Sequence, residues 1–187
     1  MAENEHDNDR PPDRVLATAE LRRSKTGRAA FPALRRNPIV VVLDGVRQNY
    51  NIGAIFRLCD AFLVERLVIC GTPVALRNRK LVQAAAGTQH WVPWEQATDA
   101  VSVVRAAKAS GCWIAAVELT ADSIGPAALQ PRFPAVLVLG AELGGVSQPV
   151  LACADAAVAI PMLGMANSLN VATAAAIILY DLARRCR

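Results

Sequence analysis

Histidine is the scarcest chemistry-bearing residue in this 187-residue chain, with only His6 and His90 present. A Ser-His-Asp triad or a His-rich metal centre is therefore not expected, because one His outside the N-terminal tail cannot supply the groups such centres use. Five cysteines (Cys59, Cys70, Cys112, Cys153, Cys186) are an odd number, widely spread, with no C-x-x-C pair. They read as reduced core residues. Apolar runs stop well short of the roughly 18 residues a membrane helix needs, and the N-terminus is acidic and polar, so neither a membrane span nor a secretory signal is expected. The expected compartment is the cytoplasm. The nucleotide fingerprint G-x-G-x-x-G is missing after the first predicted strand, which ends in Asp44-Gly45-Val46-Arg47. Gly140 and Gly145 are spaced as in a phosphate-binding P-loop, yet Val146 stands where that loop requires Lys. An ATPase and a Rossmann oxidoreductase are both disfavoured.

What is present suits one folded domain. A hydrophobic content of 53% over this length supports a sizeable core over residues 38–187, with residues 1–37 as a basic, flexible arm. The arm is divided by charge. Glu3, Glu5, Asp7, Asp9 and Asp13 crowd its start, whereas seven basic residues between Arg14 and Arg36 face only Glu20. Such a segment is either a solvated tail or a contact for a polyanion.

Ile39-Val40-Val41-Val42-Leu43 is a continuous apolar run of the kind found in strands covered on both faces. Similar runs at 66–70, 113–117, 135–139 and 156–160 alternate with helical patterns near 53–62, 80–86, 95–109 and 148–153 and with a last helix ending near Arg185. Trp91-Val92-Pro93 reads as a short extended piece, with a short helix possible near 14–23. This alternation predicts an α/β domain with a parallel sheet.

The most informative stretch is Ile160-Pro161-Met162-Leu163-Gly164-Met165-Ala166-Asn167-Ser168-Leu169-Asn170-Val171, a strand end, a loop and a helix start. Pro161 stops the strand, and Ser168 stands where a helix cap is expected. A loop of this kind offers free backbone groups to a nucleotide-like ligand. Two further stretches precede it, Asn51-Ile52-Gly53-Ala54-Ile55-Phe56-Arg57 and Leu139-Gly140-Ala141-Glu142-Leu143-Gly144-Gly145-Val146. In order and spacing the three resemble the motifs of the SpoU (TrmH-like) branch of SPOUT RNA methyltransferases, over about residues 38–185.

The resemblance implies a SPOUT-type fold, a parallel sheet flanked by helices with a deep C-terminal trefoil knot. It implies S-adenosyl-L-methionine as cofactor and methyl transfer to a ribose 2′-hydroxyl of RNA, by a homodimer and without a metal. Leu139, Gly140, Ile160 and Leu169 would line the cofactor pocket, with Ser168 at its edge. Arg57 matches the catalytic arginine. Its guanidinium is donor-only and keeps its proton, so its expected role is to grip the ribose and its phosphate while the proton leaves to phosphate or water. Asn51, Glu142, Ser168 and Asn170 complete the catalytic set, each also open to a structural reading: Asn51, Ser168 and Asn170 as helix caps, Glu142 as an ordinary exposed carboxylate. Leu63 and Ala141 depart from the usual motifs without removing a catalytic group. Lys80-Leu81-Val82-Gln83 and Gln89-His90-Trp91-Val92-Pro93 resemble the tRNA guanosine-18 members more than the ribosomal ones, so tRNA is preferred and rRNA remains possible. A non-catalytic RNA-binding protein on the same fold is the alternative.

Overall fold

Strand β1 (Asn37–Asp44) shows how the apolar run builds the domain, because its successive side chains enter two different cores. Ile39, Val41 and Leu43 face one side and Val40 and Val42 the other, and all five have no more than 7% of their surface exposed. Alternation in a strand sends neighbouring residues to opposite faces, so a sheet covered twice demands an uninterrupted apolar run. In this computed structural model, residues 15–23, 25–27 and 30–186 are described. The chain divides into two compact units, the second starting at Arg35.

In the first unit helix α1 (Thr18–Arg23) is a single short stretch, begun by the Ala17 N–H donating to Glu20 Oε2 at 2.8 Å. The acidic stretch up to Asp13, with Arg14 and Arg28, lies outside the described residues.

The second unit is a six-stranded, fully parallel sheet in the order β3-β2-β1-β5-β4-β6. Its strands are β1, β2 (Val64–Cys70), β3 (Trp94–Ala97), β4 (Trp113–Val117), β5 (Ala135–Gly140) and β6 (Ala156–Val158). Helices α2 (Asn49–Ala61), α3 (Arg79–Ala85) and α6 (Val171–Arg185) contribute to the core that receives Ile39, Val41, Leu137 and Leu139. Helices α4 (Ala100–Ala109) and α5 (Gln148–Leu151) contribute to the core of Val40, Val42, Val136 and Val138. Each fully buried Leu or Ile in these layers contributes about 1.5–3 kcal/mol of transfer free energy. Close approach of α2 and α3 depends on Gly53, where a Cβ would run into the carbonyl oxygen of Leu81. The connection between β4 and β5 is tied to the last helix by Arg185, whose Nη1 donates to the Leu129 carbonyl at 2.6 Å.

Two expected elements are shifted. The extended piece starts at Trp94 rather than Trp91, and the helix expected from Glu95 begins only at Ala100. Both shifts have the same cause. Residues 94–97 pair with Leu67–Cys70 of β2, and Asp99 caps the helix by accepting from the Ser102 N–H at 2.8 Å. Sheet pairing and a cap together outweigh the helical spacing of apolar residues upstream.

Candidate active site

Strands β1, β5, β4 and β6 end on the same side of the parallel sheet, and the loops that follow β5, β4 and β6 enclose a cleft of about 910 Å³. Open parallel sheets bind ligands at the carboxyl ends of their strands, where loops leave the layers and backbone groups are free. Leu139, Gly140, Ile160, Ser168, Leu169, Asn170 and Glu142 all line this cleft. Two stretches far apart in the chain are thereby brought to one place.

A chain of side-chain hydrogen bonds joins them. Asn51, fully buried in the first turn of α2, donates through Nδ2 to Glu142 Oε1 at 2.7 Å. Its Oδ1 accepts from Asn170 Nδ2 at 3.0 Å. Asn170 Oδ1 in turn accepts from the Ala172 N–H at 2.9 Å and caps α6. Glu142 also accepts from the backbone N–H of Gln48 at 3.3 Å and of Arg47 at 3.4 Å. Burial pushes the Glu142 carboxyl up, but the Asn51 amide and the backbone N–H donors outweigh it and hold the group below the usual carboxylate range. Glu142 is thus held as an anion whose orientation is set by Asn51.

The loop after β5 is folded tightly on itself. Ala141 and Gly145 exchange both backbone hydrogen bonds, at 3.1 and 2.9 Å. Gly140 lies against the backbone of Gly145 and Val146 so closely that a Cβ would overlap it. Two carboxylates pin the loop from beneath: Glu118 Oε2 accepts from the Val146 N–H and Asp44 Oδ2 from the Ser147 N–H, both at 2.8 Å. The loop after β6 differs. Among the described residues, 160–169 make no hydrogen bond, and Leu163 and Met165 are fully exposed.

The model of the SpoU rRNA Methylase family fits residues 38–180, a span that holds all three motif stretches. The chain belongs to the SpoU family. It is 36% identical over 153 residues to the tRNA (guanosine(18)-2'-O)-methyltransferase of Aquifex aeolicus, covering 81% of this chain and 71% of that one. It is 32% identical over 166 residues to the 23S rRNA (guanosine-2'-O-)-methyltransferase RlmB of Nitrosomonas europaea, covering 89% of this chain and 64% of the relative. Its fold is similar to that of the AdoMet-bound rRNA methyltransferase from Sinorhizobium meliloti, with a TM-score of 0.74, 28% identity, and coverage of 83% and 60% of the two chains. The matched stretch therefore spans about two thirds of the relatives' length.

Among the SpoU motif residues, the structure assembles Asn51, Glu142 and Asn170 into one bonded set and leaves Arg57 apart from it. Arg57 is exposed on α2 and does not line the cleft, and its side chain has no hydrogen-bond or ion-pair partner among the described residues. Asn51 is no helix cap: Gln48 stands at that position without a side-chain cap bond, and the Asn51 amide is used across the domain. Ser168 is no cap either. It is exposed in the loop, and α6 starts only after Asn170, whose Oδ1 reaches the Ala172 N–H. Glu118, Asp44 and Gln48 were not singled out from the sequence, although an acid directly after an apolar strand, as at Val117-Glu118, marks the end of the sheet where ligands sit.

Proposed function

We propose that this chain is an RNA 2′-O-ribose methyltransferase dependent on S-adenosyl-L-methionine, with tRNA methylated at a guanosine-18-like position in preference to rRNA. The observation that carries the reading is the Asn51–Glu142–Asn170 set, which unites the three SpoU motifs at the rim of one cleft. The cleft fits the cofactor by its construction. Leu139, Val158, Ile160 and Leu169 provide apolar walls, and Gly140 lets the loop after β5 fold back against the strand end, so that the wall of the cleft is made of backbone. Pockets for small ligands combine such walls with a few placed polar groups. When bound, the cofactor supplies an electrophilic methyl group on a sulfonium.

The chain's own residues do the rest. Leu139, Gly140, Ile160, Ser168 and Leu169 line the cleft and would hold the adenosyl portion, with Ser168 at the edge. Asn51 and Asn170 fix the start of α6 against α2 and keep Glu142 oriented, so that loops from three motifs keep one geometry. Arg57 grips the ribose and its phosphate with a planar two-point contact and stabilises negative charge developing on the 2′-oxygen, whose proton leaves to phosphate or water.

The proposed assembly is a cytoplasmic homodimer with a C-terminal trefoil knot. Support for association comes from Tyr50 of α2 and Ile177 and Tyr180 of α6, which are 58%, 40% and 62% exposed on helices that pack against one another. No helix among the described residues is long and apolar enough to cross a membrane. Transfer of labelled methyl from S-adenosyl-L-methionine to total tRNA and, separately, to ribosomal RNA tests the function. Label recovered as 2′-O-methylribose in tRNA, and lost in Arg57→Ala, is the expected result. Cofactor binding without label in either pool, together with salt-dependent RNA binding, favours a non-catalytic RNA-binding protein; without RNA binding it points to a narrower substrate.

A further inference from the structure

Glu118 is an acid in the cleft that none of the three motifs includes. It follows the last residue of β4, lines the cleft beside Gly145, Leu119 and Val158, and has no cationic partner among the described residues. Its two oxygens are used evenly: Oε1 accepts from the Leu119 N–H at 3.0 Å and Oε2 from the Val146 N–H at 2.8 Å. The loop after β5 is shaped around it, since a Cβ on Gly145, which sits at φ +62°, would overlap Oε2. A carboxylate offers about four lone-pair sites, and two backbone donors therefore leave one acceptor site on each oxygen.

We infer that Glu118 binds the ribose diol of the adenosyl cofactor, accepting one hydroxyl on each of its free acceptor sites. This rests on the reading of the cleft as the cofactor site. Two adjacent acceptor sites of fixed separation match two vicinal hydroxyl donors, whereas an ammonium group is a point charge with no need of such a pair. An acid just beyond a parallel strand serves ribose hydroxyls in the same way in dinucleotide folds, whose fingerprint this chain lacks. The position also suits the proposed chemistry. Strand β4 is separated from β1 by β5, so a ribose held at Glu118 lies across the width of β5 from the end of β1, where Arg47 and Gln48 meet Glu142.

The test is calorimetric binding of three probes to the wild type, Glu118→Gln and Glu118→Ala, with melting curves to show that each variant is folded. The probes are S-adenosylhomocysteine, 5′-methylthioadenosine, which lacks the amino-acid portion, and the 2′,3′-dideoxy form of the latter. Loss of a charge-assisted contact is expected to weaken the first two about 10- to 100-fold more than the dideoxy probe in Glu118→Ala, the dideoxy probe reading only the loss of loop support. Glu118→Gln keeps one backbone anchor and is expected to show the same selectivity in milder form. Weakening confined to S-adenosylhomocysteine would assign Glu118 to the ammonium group and overturn the inference. Equal weakening of all three probes would make Glu118 a mere support of the loop and overturn it too. If the wild type binds S-adenosylhomocysteine and neither variant loses affinity, the inference fails while the cofactor site stands; if the wild type binds none, the cofactor reading itself fails.

Discussion

The two loops that face each other across the cleft are built on opposite principles. The loop at 140–147 is closed by a reciprocal backbone pair, overlaid on Gly140, and held by Asp44 of β1 and by Glu118 just after β4. The loop at 159–170 is anchored only at its ends, by the Ala159 N–H on the Ile124 carbonyl and by Asn170, with none of residues 160–169 hydrogen-bonded among the described residues. One wall of the cleft is thus preformed and the other is free to adapt. A site of this kind can admit a large ligand through the free wall and still hold its reacting groups against the fixed one.

Glycine substitutions break the comparison most sharply. Gly140→Ala forces a methyl group into backbone that cannot yield, and is expected to cost about 3 kcal/mol and to abolish cofactor binding, read by denaturant unfolding and calorimetry. Asn51→Ala comes next. It strips a fully buried amide from Glu142 and Asn170, and about 2 kcal/mol of stability should go with most of the methyl transfer. A result within about 0.5 kcal/mol of wild type would show that the set does not couple the motifs.

Hydrogen exchange sharpens the contrast without mutation. The amides of Ile160 and of residues 162–169 should exchange fast in the free protein and slow down at least tenfold with S-adenosylhomocysteine, while those of Gly145 and Val146 are protected in both states. Equal protection of both loops in the free protein would contradict the asymmetry. A smaller effect is expected from pH. The folded-state pKa of Glu142 is lowered, so its contribution to stability is present above the usual carboxylate range and disappears as pH falls through the lowered value. Melting points of wild type and Glu142→Gln should therefore differ at pH 7 and converge in acid. Least affected is Gly164→Ala, where a Cβ meets nothing within 4 Å; its unfolding midpoint should match wild type within about 0.5 kcal/mol.

Apolar patterning and the placement of glycine were enough to read the layers and the end of the sheet where the candidate site lies. Short β-branched apolar runs such as Ile39–Leu43 and Ala135–Leu139, bounded by turn residues, fit strands covered on both faces, and glycine-bearing loops at strand ends mark where a parallel sheet binds its ligand. The same local logic failed for Asn51 and Ser168, which read as helix caps and are not. It also passed over Glu118, and it placed a helix across residues that pair with β2. Tertiary structure decided these because their partners are remote: Asn51 meets Glu142 91 residues away and Asn170 119 residues away, and Glu118 meets Val146 28 residues away. A side chain's propensity to cap a helix is a local preference worth about 1 kcal/mol. A buried amide with two charged or polar partners outweighs it, and such partners exist only once the sheet has brought the strand ends together.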